Sequence, residues 1–201
     1  MLRVGLTGGL ASGKSFVGHA LAELGCHLIE ADKLGHEVML PGAEAYDAIV
    51  REFGVGILDP GGHIDRRNLS ALVWDYPERL EKLNALVHPP VRAREERRMA
   101  EIAQADPRAI AVVAAAILVE TGNYRSFDKL IVVTCTAEQQ MERALKRGSY
   151  SKEEILARLA RQLPLEQKVR VADYVIDTSG SKESTLEQVR TLYDSLRSLS
   201  V

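Results

Sequence analysis

An α/β fold, built on a five-stranded parallel sheet flanked by helices, is predicted by three observations on this 201-residue chain. Five short apolar runs (2–6, 26–30, 109–116, 129–134 and 173–177) are separated by stretches with helical spacing, the alternation that builds a parallel sheet wrapped by helices. Residues 8–15 read Gly-Gly-Leu-Ala-Ser-Gly-Lys-Ser and stand between the first run and the first helical pattern. The second and third runs are separated by residues 31–108, far more than an ordinary strand–helix connection needs.

The first strand is the apolar run Leu2–Leu6, and the helix after it has apolar residues at 16, 17, 20, 21 and 24. Between them lies G-x-x-x-x-G-K-[ST], from Gly8 through Gly13 and Lys14 to Ser15. The N–H groups of such a loop converge on phosphate oxygens, and the following helix points its positive dipole end at the same anion. The backbone of Gly9, Leu10, Ala11, Ser12, Gly13, Lys14, Ser15 and Phe16 is therefore the expected nucleotide-binding surface. Lys14 would reach the β- and γ-phosphates, and the Ser15 hydroxyl would ligate Mg²⁺. A purely structural glycine turn would not need Lys-Ser in register with both elements, so the motif implies a nucleoside triphosphate site.

Gly25 stands where a left-handed residue ends the first helix. The second strand ends Glu30-Ala31-Asp32. Strand ends of that polarity face the ligand crevice of an open parallel sheet, which would set Asp32 beside the triphosphate. There it could take a proton from an attacking hydroxyl or simply cap a helix at 33–40. Helical patterns follow at 33–40, 43–53, 66–74, 77–87 and 91–104, broken by Gly54, Gly56, Gly61-Gly62 and Pro89-Pro90. A helical insertion in a phosphate-binding core normally holds a second substrate. His88, before the two prolines, reads on its own as a hydrogen-bonded structural histidine. Arg92, Arg94, Arg97 and Arg98 alternate with Glu95 and Glu96, an exposed helix face rather than a nucleic-acid patch.

The third strand runs on to Glu120, the acidic candidate near a metal-binding strand end, although it lies several residues late. Thr136-x-x-Gln139 and Ser151-x-x-Glu154 are capping boxes that open helices near 137–147 and 152–162. Arg143, Arg147, Arg158 and Arg161 gather around the Gly148-Ser149-Tyr150 turn between those helices. They suit a mobile lid that closes over transferring phosphates, or equally a solvated helix face. A final amphipathic helix covers 182–198.

Composition narrows the function class. An apolar share of 46% and a charged share of 27% are those of a globular protein, and 201 residues suit one domain with inserted subdomains. A net charge of −2 exerts no overall pull on nucleic acid or anionic membrane. Met1 leads straight into the first strand without a basic n-region, and the longest apolar run, 109–119, is too short to span a bilayer. Cys26 and Cys135 read as free thiols in a reducing cytosol, and His19, His27, His36 and His63 form no metal spacing. The expectation is a cytoplasmic protein with no nucleic-acid, membrane or obligate protein partner.

With these residues in hand, the chain resembles the dephospho-coenzyme A kinase family from Val4 to about residue 181. The likeness is carried by Val-Gly-Leu-Thr-Gly-Gly-Leu-Ala-Ser-Gly-Lys-Ser from Val4 and by Glu30-Ala31-Asp32. It continues in Gly62-His-Ile-Asp-Arg66-x-x-Leu69, Leu83-Asn84-x-x-x-His88-Pro89 and Ile117-Leu118-Val119-Glu120. Gln140-x-x-Arg143-x-x-x-Arg147, Arg158-x-x-x-Gln162 and Ala172-Asp173-Tyr174-Val175-Ile176 complete it. Each piece is weak alone, and their common order is specific.

The resemblance implies a P-loop kinase fold with a helical acceptor-binding insertion and a small helical lid. The core would comprise about 1–31, 106–140 and 170–201, the insertion about 32–105 and the lid about 141–169. It implies ATP and Mg²⁺, and transfer of the γ-phosphoryl group to the ribose 3′-hydroxyl of dephospho-coenzyme A. Asp32 matches the general base, Lys14, Arg143 and Arg147 the remaining catalytic positions, and Asp32, Arg66, His88 and Glu120 the acceptor region. Glu30 stands in place of the family's first Asp, Ala116 where Pro is common, and Thr178 where Asn often follows the last strand. Another small-molecule kinase shares the loop, but not this insertion. A GTPase-type switch would need Asn-Lys-x-Asp after the fourth strand, where Thr134-Cys-Thr-Ala stands.

Overall fold

β1 (Leu2–Gly8) is the central strand of a five-stranded sheet in the computed structural model, which describes residues 1–73, 76–148 and 151–200. It pairs in parallel with β3 (Ile110–Ala114) on one side and β4 (Lys129–Thr134) on the other, in registers that set Leu2 beside Ile110 and Val4 beside Lys129. β2 (His27–Glu30) and β5 (Tyr174–Asp177) close the edges, giving the order β2-β3-β1-β4-β5. Every pairing is parallel. β3 is buried along its whole length, because a strand covered by helices on both faces has no polar side to show. Each edge strand buries one residue fully, Ile29 in β2 and Ile176 in β5.

α1 (Lys14–Glu23) and α9 (Lys182–Leu199) pack on one face of the sheet. Val17, Leu21, Val189 and Leu196 share a buried cluster with Val4, Leu6, Val112, Ile131 and Val133. On the opposite face Gly5 lets Leu118, Phe127 and Leu130 approach to within 3.1–3.2 Å of where its Cβ would stand. Thr136 and Ser151 form the capping boxes expected of them, opening α6 (Ala137–Lys146) and α7 (Lys152–Arg161). A short α8 (Leu165–Val169), which no pattern announced, leads to β5.

The chain folds as two compact units, residues 1–30 with 101–201, and residues 31–100. The second holds α2 (Ala31–Glu37), α3 (Tyr46–Phe53), α4 (Arg66–Val73) and most of α5 (Pro77–Ala105). Trp74, the last residue of the expected 66–74 helix, lies outside the described residues, as do Ser149 and Tyr150. The unit is tied by charge. The Arg94 guanidinium donates to both oxygens of Glu44 at 3.0 and 2.6 Å and to Glu37 at 3.1 Å, Arg98 donates to Glu37 at 3.0 Å, and Lys82 to Glu52 at 2.8 Å. Two of the four arginines of the expected solvated face therefore pair with carboxylates.

α5 corrects the expected break at Pro89-Pro90, because one helix runs through both prolines. Each ring removes one backbone hydrogen bond and crowds the preceding turn. The helix persists because tertiary anchors stand on either side, Lys82 before the prolines and the buried Val91 and Met99 and the paired Arg94 after them. β3 also stops at Ala114 rather than at 116. No helix among the described residues is long and apolar enough to cross a membrane.

Candidate active site

The Gly9–Gly13 loop joins β1 to α1, and its conformation is held from three directions. Gly13 takes the N-cap position of α1 at φ 93°, a left-handed value open to glycine, with Thr178 3.1 Å from where a Cβ would be. Ala11 is at φ 56°, the one described non-glycine residue with positive φ. Ser12 N–H donates to Gly9 O at 3.1 Å, and Val17 N–H to Gly13 O at 3.1 Å. The first turn of α1, opened by Lys14 and Ser15, presents N–H groups that have no intrahelical acceptor. Together these set main-chain N–H groups, a lysine and a hydroxyl at one helix start, an arrangement that can receive an anion. Lys14 is half-buried and Ser15 exposed.

The loop is braced by residues that follow β4 and β5. Thr178 Oγ1 donates to Ser12 O at 2.7 Å, with Thr134 O a second acceptor in reach at 3.1 Å. Arg143, on α6, spends its fork on the same residue, with Nη1 to Thr178 Oγ1 at 2.9 Å and Nη2 to Thr178 O at 2.7 Å. Gln140 donates to Leu10 O and Gln162 accepts from Leu10 N–H, both at 2.9 Å. Arg147 forms the C-cap of α6, donates its N–H to Arg143 O at 3.3 Å, and precedes Gly148 at φ 66°. Ser149 and Tyr150, which complete that turn in the sequence, lie outside the described residues.

Glu120, expected among the acceptor-binding residues, is engaged within the protein. Its Oε1 lies 2.6 Å from Lys168 Nζ and accepts from Leu163 N–H at 3.2 Å. Lys168 is wholly buried and also donates to Ala116 O at 3.0 Å, which Thr7 Oγ1 shares at 3.1 Å. Neither Lys168 nor the two glutamines drew a functional reading from their spacing. Gln140 and Gln162 belong to motif fragments that name no role for them, and a buried lysine in Leu-Glu-Gln-Lys-Val leaves no periodic trace.

The second unit carries the other sequence-predicted residues. Asp32 is exposed in the first turn of α2, which starts at Ala31 directly after β2. It is therefore inside the helix and not its cap, because no linker separates strand from helix. The His36 imidazole is held below its ordinary pKa by partial burial and by Arg66, while Asp32 pulls it the other way. Arg66 and Asp32 thus act on His36 in opposite senses. His88, half-buried in α5, is lowered by burial and by Arg92. Glu95 nearby is raised, chiefly by burial. No cluster of three potential metal ligands occurs among the described residues.

The family model for dephospho-CoA kinase matches residues 2–184. A dephospho-CoA kinase of Aquifex aeolicus is 41% identical over 196 residues, with 98% of each chain covered. Among solved structures, a Thermus thermophilus protein superposes with a TM-score of 0.82 at 29% identity, covering 96% of each chain. A dephospho-CoA kinase from Campylobacter jejuni superposes with a TM-score of 0.73 at 25% identity, covering 99% of this chain and 98% of that one.

Proposed function

Because the chain belongs to the dephospho-CoA kinase family, we propose that its phosphate loop holds ATP while Lys14, Asp32 and Arg147 move the γ-phosphoryl group onto the acceptor. The reaction is ATP-dependent phosphorylation of dephospho-coenzyme A at the ribose 3′-hydroxyl, giving coenzyme A and ADP. The observation that carries it is the Lys14-Ser15 start of α1 behind Gly13, in a chain that matches the family over residues 2–184.

Phosphoryl transfer passes through a loose transition state, so positioning and charge stabilisation supply most of the acceleration. Main-chain N–H groups at the start of α1 hold the phosphates, and the Lys14 ammonium follows the charge that develops on the migrating group. Asp32 accepts the proton released by the acceptor hydroxyl. Arg66 and His88 bind the acceptor's anionic groups, His88 in a largely neutral form at pH 7 because burial disfavours its charge. Arg143 supports the loop through Thr178, and Arg147, next to Gly148, reaches the phosphates from a lid.

Mg²⁺ suits the donor set here: the Ser15 hydroxyl is exposed at the helix start, and no described carboxylate cluster competes for the ion. That fits a small cation that keeps several waters and binds mainly to phosphate oxygens. When bound it would supply charge neutralisation for the phosphates. Ser15 would hold it, and Lys14 and Asp32 act as described above.

A coupled assay of the purified protein with ATP, Mg²⁺ and dephospho-coenzyme A tests the reading. Turnover is expected with that acceptor and only weakly with AMP, shikimate or a free nucleoside. Equal or faster turnover of any of those three would overturn the assignment.

A further inference from the structure

Leu10 of the phosphate loop has both of its main-chain polar groups held by side chains, one from α6 and one from the C-cap of α7. Leu10 N–H donates to Gln162 Oε1 at 2.9 Å, at the C-cap of α7, and Leu10 O accepts from Gln140 Nε2 of α6, also at 2.9 Å. Gln140 fills the space beside the loop so closely that a Cβ on Gly9 would stand 2.2 Å from its Nε2. The next residue, Ala11, is buried at φ 56°, a conformation that an L-residue leaves unless its surroundings hold it. Its methyl packs in a small apolar cluster with Ala144 of α6 and Ile155 of α7, against which Leu10, Met141 and Leu159 also pack.

We propose that Gln140 and Gln162 are positioning residues for ATP: as a pair they fix the two peptides on either side of Leu10 and hold the loop in its phosphate-receiving form. The inference rests on the reading that this loop holds ATP. The division of labour follows from the polarity of the peptide. Gln140 commits the Leu10 carbonyl, so that its oxygen is not turned toward an anionic phosphate. Its hold on that oxygen also keeps the Leu10–Ala11 peptide from rotating and carrying Ala11 out of its left-handed conformation, while Gln162, by committing the N–H, fixes the preceding Gly9–Leu10 peptide. Because the two amides come from α6 and α7, any displacement of either helix is felt by the loop before it is felt by the nucleotide.

The test follows from what each amide supplies. At position 162 an acceptor is needed, and glutamate keeps one; at position 140 a donor is needed, and glutamate removes it. Steady-state kinetics are measured for Gln140→Glu, Gln140→Met, Gln162→Glu and Gln162→Met, together with thermal midpoints. Gln140→Glu, Gln140→Met and Gln162→Met are each expected to lower kcat/KM for ATP by about fivefold to a hundredfold, the effect of leaving a buried partner unmade. KM for dephospho-coenzyme A should stay within about twofold, a separation that general loosening of the fold would not give. Gln162→Glu should stay within about threefold of the parent, because its carboxylate still accepts from Leu10 N–H. Both glutamates bring the same charge to the same loop, so the difference between them reads the hydrogen bond.

The inference is overturned if the two glutamate variants behave alike, or if both methionine variants keep full kcat/KM for ATP. Should a methionine variant fail to fold, the glutamate pair decides alone. If the parent protein does not phosphorylate dephospho-coenzyme A, the functional reading has failed. ADP affinity, measured by calorimetry on the same four variants, then decides the clamp separately and should show the same order.

Discussion

Arg143 and Arg147 stand four residues apart, the first within α6 and the second at its C-cap. The Arg143 fork is committed to the hydroxyl and carbonyl of Thr178, which in turn holds Ser12 O of the loop. Arg143→Ala is therefore expected to lower the thermal midpoint by roughly 4–8 °C, from the loss of about 2 kcal/mol of charge-assisted bonding, and to weaken ADP binding measured by calorimetry. Arg147→Ala should leave both nearly intact and lower kcat and kcat/KM together, with Arg147→Lys recovering only part because a point charge cannot replace a planar fork. If Arg147→Ala instead changes only KM for ATP, the residue binds the ground state. Lys14→Ala should lower kcat by about a hundredfold to a thousandfold in a protein that melts normally. Asp32→Asn should lower kcat by roughly a hundredfold or more without a change in ADP affinity. The sequence left Asp32 divided between base and cap because it does not say where a helix begins. With α2 starting at Ala31, Asp32 lies in its first turn rather than before it, where an amide would lose only the favourable charge at the helix start.

At the level of elements, the strands and the two capping boxes were legible because each rests on local chemistry: an apolar run covered on both faces, or a hydroxyl three residues before an amide or carboxylate. α5 was not legible, because Pro89 and Pro90 are local signals of a break and the anchors that override them, Glu37, Glu44 and Glu52, lie far away in the chain. α8 escaped for a similar reason. Its five residues are too few to show a period, and it is fastened by Lys168 to Glu120 and Ala116 O. That buried pair makes a sharp stability prediction. Lys168→Met strands the Glu120 carboxylate in the interior and should cost about 3–5 kcal/mol, read as a lowered midpoint in thermal denaturation. Adding Glu120→Gln should recover part of the loss by removing the stranded charge. A double variant less stable than Lys168→Met alone would show that Glu120 has a second role beside pairing.

Across the whole molecule, acid should loosen the protein through its histidines. His36 and His88 are both held below the ordinary value of 6.5 in the fold. Their contribution is complete above that pH and is lost as pH falls through the lower folded values, because the unfolded chain then binds protons that the fold resists. The thermal midpoint should therefore fall between pH 7 and pH 5, and His88→Gln should fall less steeply; equal slopes would remove His88 from the account. The sheet as a whole was legible in outline, whereas the braces on the phosphate loop were not. Gln140, Gln162 and Thr178 come from distant stretches that meet only when the strands are ordered β2-β3-β1-β4-β5. That order also governs timing. β1 leaves the ribosome before its partners, because both of its neighbours, β3 and β4, lie beyond residue 109, and pairing across so long a stretch is slow to nucleate. Thr178, later still, is the final clasp on Ser12. A nascent chain thus carries its nucleotide signature long before the residues that brace the loop have emerged. In refolding from denaturant, recovery of ADP binding should accordingly coincide with the slowest phase.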